Sequence, residues 1–194
     1  MNRKSHLKMD YQSYWAVGSL AEPLIHFAVP FAVFTALGVK PKRALLLSLL
    51  ALTPDLDVLF HVHRSVTHSL IPLLLVAAPL LALTWRRKSY RNLVILAFMA
   101  VSSHLLLDLS GYTPILYPLL QDSFRIAFSC NMHYGSSPAL SFNVLVESIP
   151  TVFIPFDSLD APLFTTEGAL ISLALLLPTF IEAFKQLWKR RPAC

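Results

Sequence analysis

The residues able to do chemistry in this 194-residue chain fall in a few short stretches. His26 stands alone in an apolar run, four positions after Glu22. Asp55 and Asp57 follow a proline in Thr53-Pro54-Asp55-Leu56-Asp57. A dense polar knot runs His61-Val62-His63-Arg64-Ser65-Val66-Thr67-His68-Ser69. His104 and Asp108 share the i, i+4 spacing that sets two side chains on one helical face. Imidazole and carboxylate are ligands of zinc and of harder transition ions such as manganese. Cysteine is missing from the set, which disfavours a structural zinc site. Mixed His/Asp ligation suits a catalytic ion with an open position, or a pair of ions. His26, Asp55, Asp57, His68, His104 and Asp108 are therefore expected to hold one or two divalent ions. His63 is a candidate general acid, or a partner that orients a ligand. Arg64 would hold an anionic group, because its fork matches phosphate oxygens. Glu22 could orient His26.

Plainer readings stand beside this one. A single histidine in a membrane helix is ordinarily an interhelical hydrogen bond. A buried aspartate can also belong to a proton or ion path, which makes a proton- or ion-coupled transporter the alternative to an enzyme. A non-catalytic scaffold is a third. His61, His63 and Arg64 are read equally well as solvated loop residues, and His133 and Cys130 are read as solvated.

The elements that must position these groups are apolar. The chain is 55% hydrophobic and only 14% charged, with a mean hydropathy of +0.59. Its charges sit in small basic packets between apolar runs: Lys40-Pro41-Lys42-Arg43, Arg86-Arg87-Lys88 and Lys189-Arg190-Arg191. That pattern sets membrane orientation and argues against nucleic acid as the partner of the net +5 charge. The expected fold is an all-α polytopic transmembrane bundle, a single domain over residues 1–194. About five spans are expected, near residues 15–38, 43–60, 66–85, 92–110 and 168–188. Residues 111–167 should form a cap on the membrane surface; a re-entrant element, or a sixth membrane-dipping helix near Pro114–Ser129, is the alternative. Basic loops on the cytoplasmic side then put the cluster at the outer face of a cell membrane. Pro54 should break its helix and let both aspartates turn inward. Ser65 is a plausible N-cap. Two distant cysteines make a disulfide framework unlikely, and the first apolar run is too long for a signal peptide.

The ordered series His26, Pro54-Asp55-Leu56-Asp57, His63-Arg64-x-x-Thr67-His68-Ser69 and His104-x-x-x-Asp108 resembles the YdjM-like family of inner-membrane-associated metal-dependent hydrolases. The stretch Tyr112–Pro118 is similar to the continuation of that family's pattern. The resemblance covers about residues 20–120. It implies a hydrolase whose metal is held by the His and Asp positions above. A more distant likeness to zinc-dependent phospholipases C rests on ligand types and helical setting. Together these lead to the expectation of a membrane-embedded metal hydrolase, cutting a phosphoester in a lipid or lipid-linked substrate.

Overall fold

The computed structural model describes residues 22–135, 137–157 and 162–189. The stretch 15–21 of the first expected span lies outside them, as do Arg190, Arg191 and Cys194. Helix α1 (Pro23–Ala36) opens on a proline whose missing N–H costs nothing in a first turn. Just past its end stands Gly38 at φ 78°, in the left-handed region that stops helices. Helix α2 (Pro41–Leu50) also starts on proline and lasts only ten residues. A 3-10 segment, Pro54–Phe60, follows it, and a second, Val66–His68, follows the polar loop. Helix α3 (Leu70–Thr84) is capped by Ser69, whose hydroxyl accepts from Ile71 N at 3.3 Å. Helix α4 (Lys88–Asp108) carries His104 and Asp108 in its last two turns. Strands β1 (Asp122–His133) and β2 (Ala139–Pro150) form one antiparallel hairpin. Helix α5 (Thr166–Lys189) ends the described chain.

The five-span all-α bundle is corrected on two counts. First, among the described residues only Lys88–Asp108 is both long and apolar enough to cross a membrane. Pro23–Ala36 and Leu70–Thr84 are apolar but have 14 and 15 residues, against the roughly 20 a crossing needs. The expected span 43–60 breaks because Pro54 has no N–H for the helical ladder. The expected span 66–85 loses its first turn to the 3-10 segment that carries His68. The outer-face placement rested on the span count and falls with it. Second, the cap is a β-hairpin, and the expected helix near Pro114–Ser129 is absent. Phe124, Ile126 and Phe128 alternate with smaller or polar residues, and Leu140, Phe142 and Val144 alternate with Ser141 and Asn143. A two-residue period fits a pleated strand and would scatter around a helix.

Helix α1 packs against α2, α4 and α5, and α3 packs against α4. The small apolar core joins Phe34, Ala44, Leu47, Ala51 and Ala100. Ala44, Ala51 and Ala100 let the backbones of α2 and α4 approach closely. Beyond this core the molecule is turned inside out. Its buried residues include Glu22, His26, Asp57, Arg64, His68, His104 and Asp108, while leucines on helices α2 to α5 are exposed. Costly polar groups inside and apolar ones outside are the arrangement of a protein solvated by lipid.

Candidate metal centre

Three interruptions of regular helix bring the cluster together. Pro54 ends α2 and winds Asp55 and Asp57 into a 3-10 turn that faces inward. The loop then reverses through His61 (φ 56°) and Arg64 (φ 55°), both in the left-handed region that non-glycine residues rarely adopt. Ser65 N-caps the next turn through Thr67 N, which delivers His68 to the interior. Thr67 Oγ1 also donates to Asp57 Oδ2 at 3.0 Å, and Ser65 N donates to the same oxygen at 2.9 Å. The loop and the aspartate turn are thus one hydrogen-bonded unit.

Four ligand atoms converge: Asp55 Oδ1, His68 Nε2, His104 Nε2 and Asp108 Oδ2. The two imidazole nitrogens are 3.3 Å apart. Asp55 Oδ1 lies 3.5 Å from His68 and 3.3 Å from His104. Asp108 Oδ2 lies 3.3 Å from His68 and 3.1 Å from His104. Ligand atoms on a tetrahedral zinc, at 2.0–2.1 Å from the ion, stand about 3.3–3.4 Å from one another. Five of the six separations in the donor set lie near this spacing, so the set could hold a single ion. Asp108 Oδ2 is buried and close to both nitrogens, yet makes no well-directed hydrogen bond. Such an atom is shaped as a ligand more than as an acceptor.

Asp57 stands apart from this set. Its Oδ2 meets His68 Nδ1 at 3.2 Å, on the opposite side of the ring from the four-atom group. Its Oδ1 reaches His63 Nδ1 at 3.5 Å. Asp57, His63 and His68 make a second small group of possible ligands. The geometry also fits a carboxylate that holds a metal-binding imidazole in one tautomer. His26 does not join the four-atom group either. Its Nε2 lies 3.4 Å from Asp108 Oδ1, and its ring stacks on His104 at 3.8 Å between centroids. Arg64 is buried, with Nη2 3.7 Å from Asp108 Oδ1 and Nη1 donating to Tyr112 O. Gly111 permits this, since a Cβ there would stand 2.1 Å from Arg64 Nη1. Asp55 and His63 are the more exposed members, at 24% and 23% of their side chains, so the cluster opens on their side.

Burial alone would push the His68 imidazole down. Its bonds to Asp108, Asp55 and Asp57 outweigh that and raise it to about 10. Asp55 and Asp57 are likewise desolvated, yet the histidines around them hold both below the ordinary carboxylate range.

Glu22, which its spacing could have let orient His26, bonds Thr165 instead. Its carboxylate accepts from Thr165 N at 2.6 Å and from the Thr165 hydroxyl, at the start of α5. There it complements the positive end of the helix dipole. His61 bonds Phe156 O at 3.2 Å and ties the residues after β2 to the loop. Residues after α4, missed as contributors, brace the site from behind. Thr113 Oγ1 donates to Asp108 O at 2.7 Å, and Leu70 N donates to Ile115 O at 2.9 Å. Both Thr113 and Ile115 lie in the Tyr112–Pro118 stretch, whose likeness to the family's pattern was the signal for them in the sequence.

The fold and the site define an apolar-surfaced helical protein with a buried His/Asp centre of metal-binding type. The chain belongs to the family described as YdjM inner membrane protein, which it matches over residues 22–181. The match runs past the four motifs to include the hairpin and much of α5. No curated protein matches the chain, and no solved structure does.

Proposed function

We propose that this chain is a metal-dependent hydrolase that cuts a phosphoester in a lipid or lipid-linked substrate at the membrane. The reading rests on one observation above all: four ligand atoms from three separate segments lie within reach of one ion, in a cluster with one exposed side. Asp55, His68, His104 and Asp108 would hold the ion. When bound, it would supply Lewis-acid polarisation of a phosphoryl oxygen and a water acidified toward neutral pH. Asp57 orients His68, and His26 supports Asp108 through its second oxygen. If a second ion binds, Asp57 and His63 are the ligands nearest to hand.

His63 is partly exposed and paired with Asp57, a setting suited to donating a proton to the leaving alcohol. Arg64 places positive charge beside Asp108, where it would stabilise the anionic phosphoryl group. The apolar surface and family membership favour an amphipathic substrate.

Elemental analysis of folded, chelator-free protein tests the first step, with one or two tightly held zinc or manganese ions expected. Turnover is then measured on phospholipids and lipid pyrophosphates. His68→Ala and Asp108→Ala should each abolish turnover without unfolding the protein. Protein without metal, or full activity in both variants, overturns the reading.

A further inference from the structure

The hairpin has an unexplained polarity. Its register pairs Phe128 with Val144, Cys130 with Phe142 and Met132 with Leu140. Side chains alternate between faces along a strand, so these six stand on one face. All are exposed, Phe128 to 77% and Phe142 to 73%. The other face of the same stretch carries Ser129, Asn131, His133, Ser141 and Asn143, with Leu145 its one large apolar residue. An amphipathic ribbon thus projects from the molecule with its apolar face bare.

The base of the ribbon is fastened beside the metal centre. Ile126 N donates to Leu109 O at 2.7 Å, one residue past Asp108. Phe124 and Thr113 exchange backbone bonds at 2.9 Å, and Tyr112 OH donates to Glu147 at 3.0 Å. Tyr112 is the residue whose carbonyl holds Arg64. The apolar exposure also continues along the chain on both sides of the hairpin, at Leu119 and Leu120 before it and Val152 and Ile154 after it. The His61 loop, tied to Phe156, adds Leu59 and Phe60. The end of the molecule that bears the cluster is therefore rimmed with bare apolar side chains.

We propose that the hairpin lies flat on the bilayer surface, its Phe128–Met132 face sunk into the lipid and its serine and asparagine face in water, and that it sets the height of the His/Asp cluster at that surface. A contiguous apolar rim of this extent marks a membrane or protein contact. Membership of an inner membrane family supplies the bilayer as the occupant. Crossing is excluded, because a two-stranded ribbon has two open edges whose N–H and C=O groups would have no partner in hydrocarbon. A second copy of the chain would be expected to pair through those edges. The feature to be covered here is a face. The inference does not depend on the hydrolase reading.

Cys130 is exposed on the apolar face and serves as a native probe. The full chain carrying Cys194→Ser is reconstituted in phosphatidylethanolamine and phosphatidylglycerol vesicles and labelled at Cys130 with an environment-sensitive fluorophore. Ser129→Cys and Asn131→Cys, each with Cys130→Ser and Cys194→Ser, report the other face. These are small changes at exposed positions, so the ribbon should survive them. The expected result is a blue-shifted Cys130 label, quenched severalfold more by shallow spin-labelled lipid than the labels at 129 and 131, which iodide should quench instead. Equal iodide quenching at all three positions overturns the proposal. Equal quenching of all three by deeply labelled lipid also overturns it, by indicating insertion. Cys130–Cys130 cross-links that persist on dilution into excess lipid would assign the face to a second copy and overturn it too.

Discussion

The division of labour between Asp57 and the four converging atoms has a measurable consequence. Asp57→Asn keeps the size of the side chain and removes its charge. The carbonyl oxygen can still accept from Ser65 N, now 2.9 Å from Asp57 Oδ2. It cannot also satisfy Thr67 and hold His68 Nδ1 as a carboxylate does at 3.2 Å. Loss of an orienting partner behind a metal-binding histidine costs 10–100-fold in affinity, or about 1.4–2.7 kcal/mol. A second effect opposes this. His68, raised to about 10 by three carboxylates, must lose its proton to bind an ion. At pH 8 that competition weakens binding by roughly two decades. Removing Asp57 lowers the imidazole and relieves part of it. The deficit of the variant should therefore grow as pH rises and reach its full size once the proton no longer competes. Metal titration against a chromophoric chelator at pH 7, 8 and 9 measures this. The variant should keep its stoichiometry, while Asp108→Asn loses the ion outright. If Asp57→Asn also loses the ion at every pH, Asp57 is a ligand and the assignment of roles is wrong. If its affinity is unchanged throughout, the orienting role is wrong.

The same titration predicts that the unaltered protein binds metal more weakly by at least about tenfold for each pH unit lost between 9 and 7; a flat profile refutes the raised His68. For metal-free protein the sign reverses. A histidine raised on folding stabilises fully below about 6.5 and loses that contribution as pH rises through about 10, so chelated protein should melt at a lower temperature at pH 10 than at pH 7. Gly168→Ala places a Cβ 2.2 Å from Glu22 Oε2, displaces the carboxylate from Thr165 and should cost about 1–2 kcal/mol in thermal unfolding, with metal content unchanged. Gly111→Ala crowds the Arg64 guanidinium, and should reproduce the turnover defect of Arg64→Ala with metal content retained; full turnover in Gly111→Ala would show that the close approach is dispensable.

Much of the site was legible because its chemistry is costly. Histidines and aspartates in apolar surroundings are rare unless they have work to do, and i, i+4 spacing places His104 and Asp108 on one face in any helix. Pro54 announced its own break. The hairpin was not legible to a reading that counted apolar length, because a strand pair and a membrane-dipping helix can share the same composition. Only the two-residue alternation separates them, and it is weak over short runs. Spacing lets Glu22 orient His26, but its partner is Thr165, 143 residues away, which only the packing of α1 against α5 brings near.

The sequence by itself determined the side-chain types in the cluster, the apolar character of their surroundings and the family, since these follow from residue identity and order. Tertiary structure alone decided which groups share one centre. Asp55 and Asp57 are two residues apart and chemically alike, yet one joins the converging four and the other stands behind His68. That outcome depends on the 3-10 turn that Pro54 starts and on a loop reversal at His61 and Arg64, whose left-handed conformations are held by hydrogen bonds to the distant backbone of Phe156 and Tyr112.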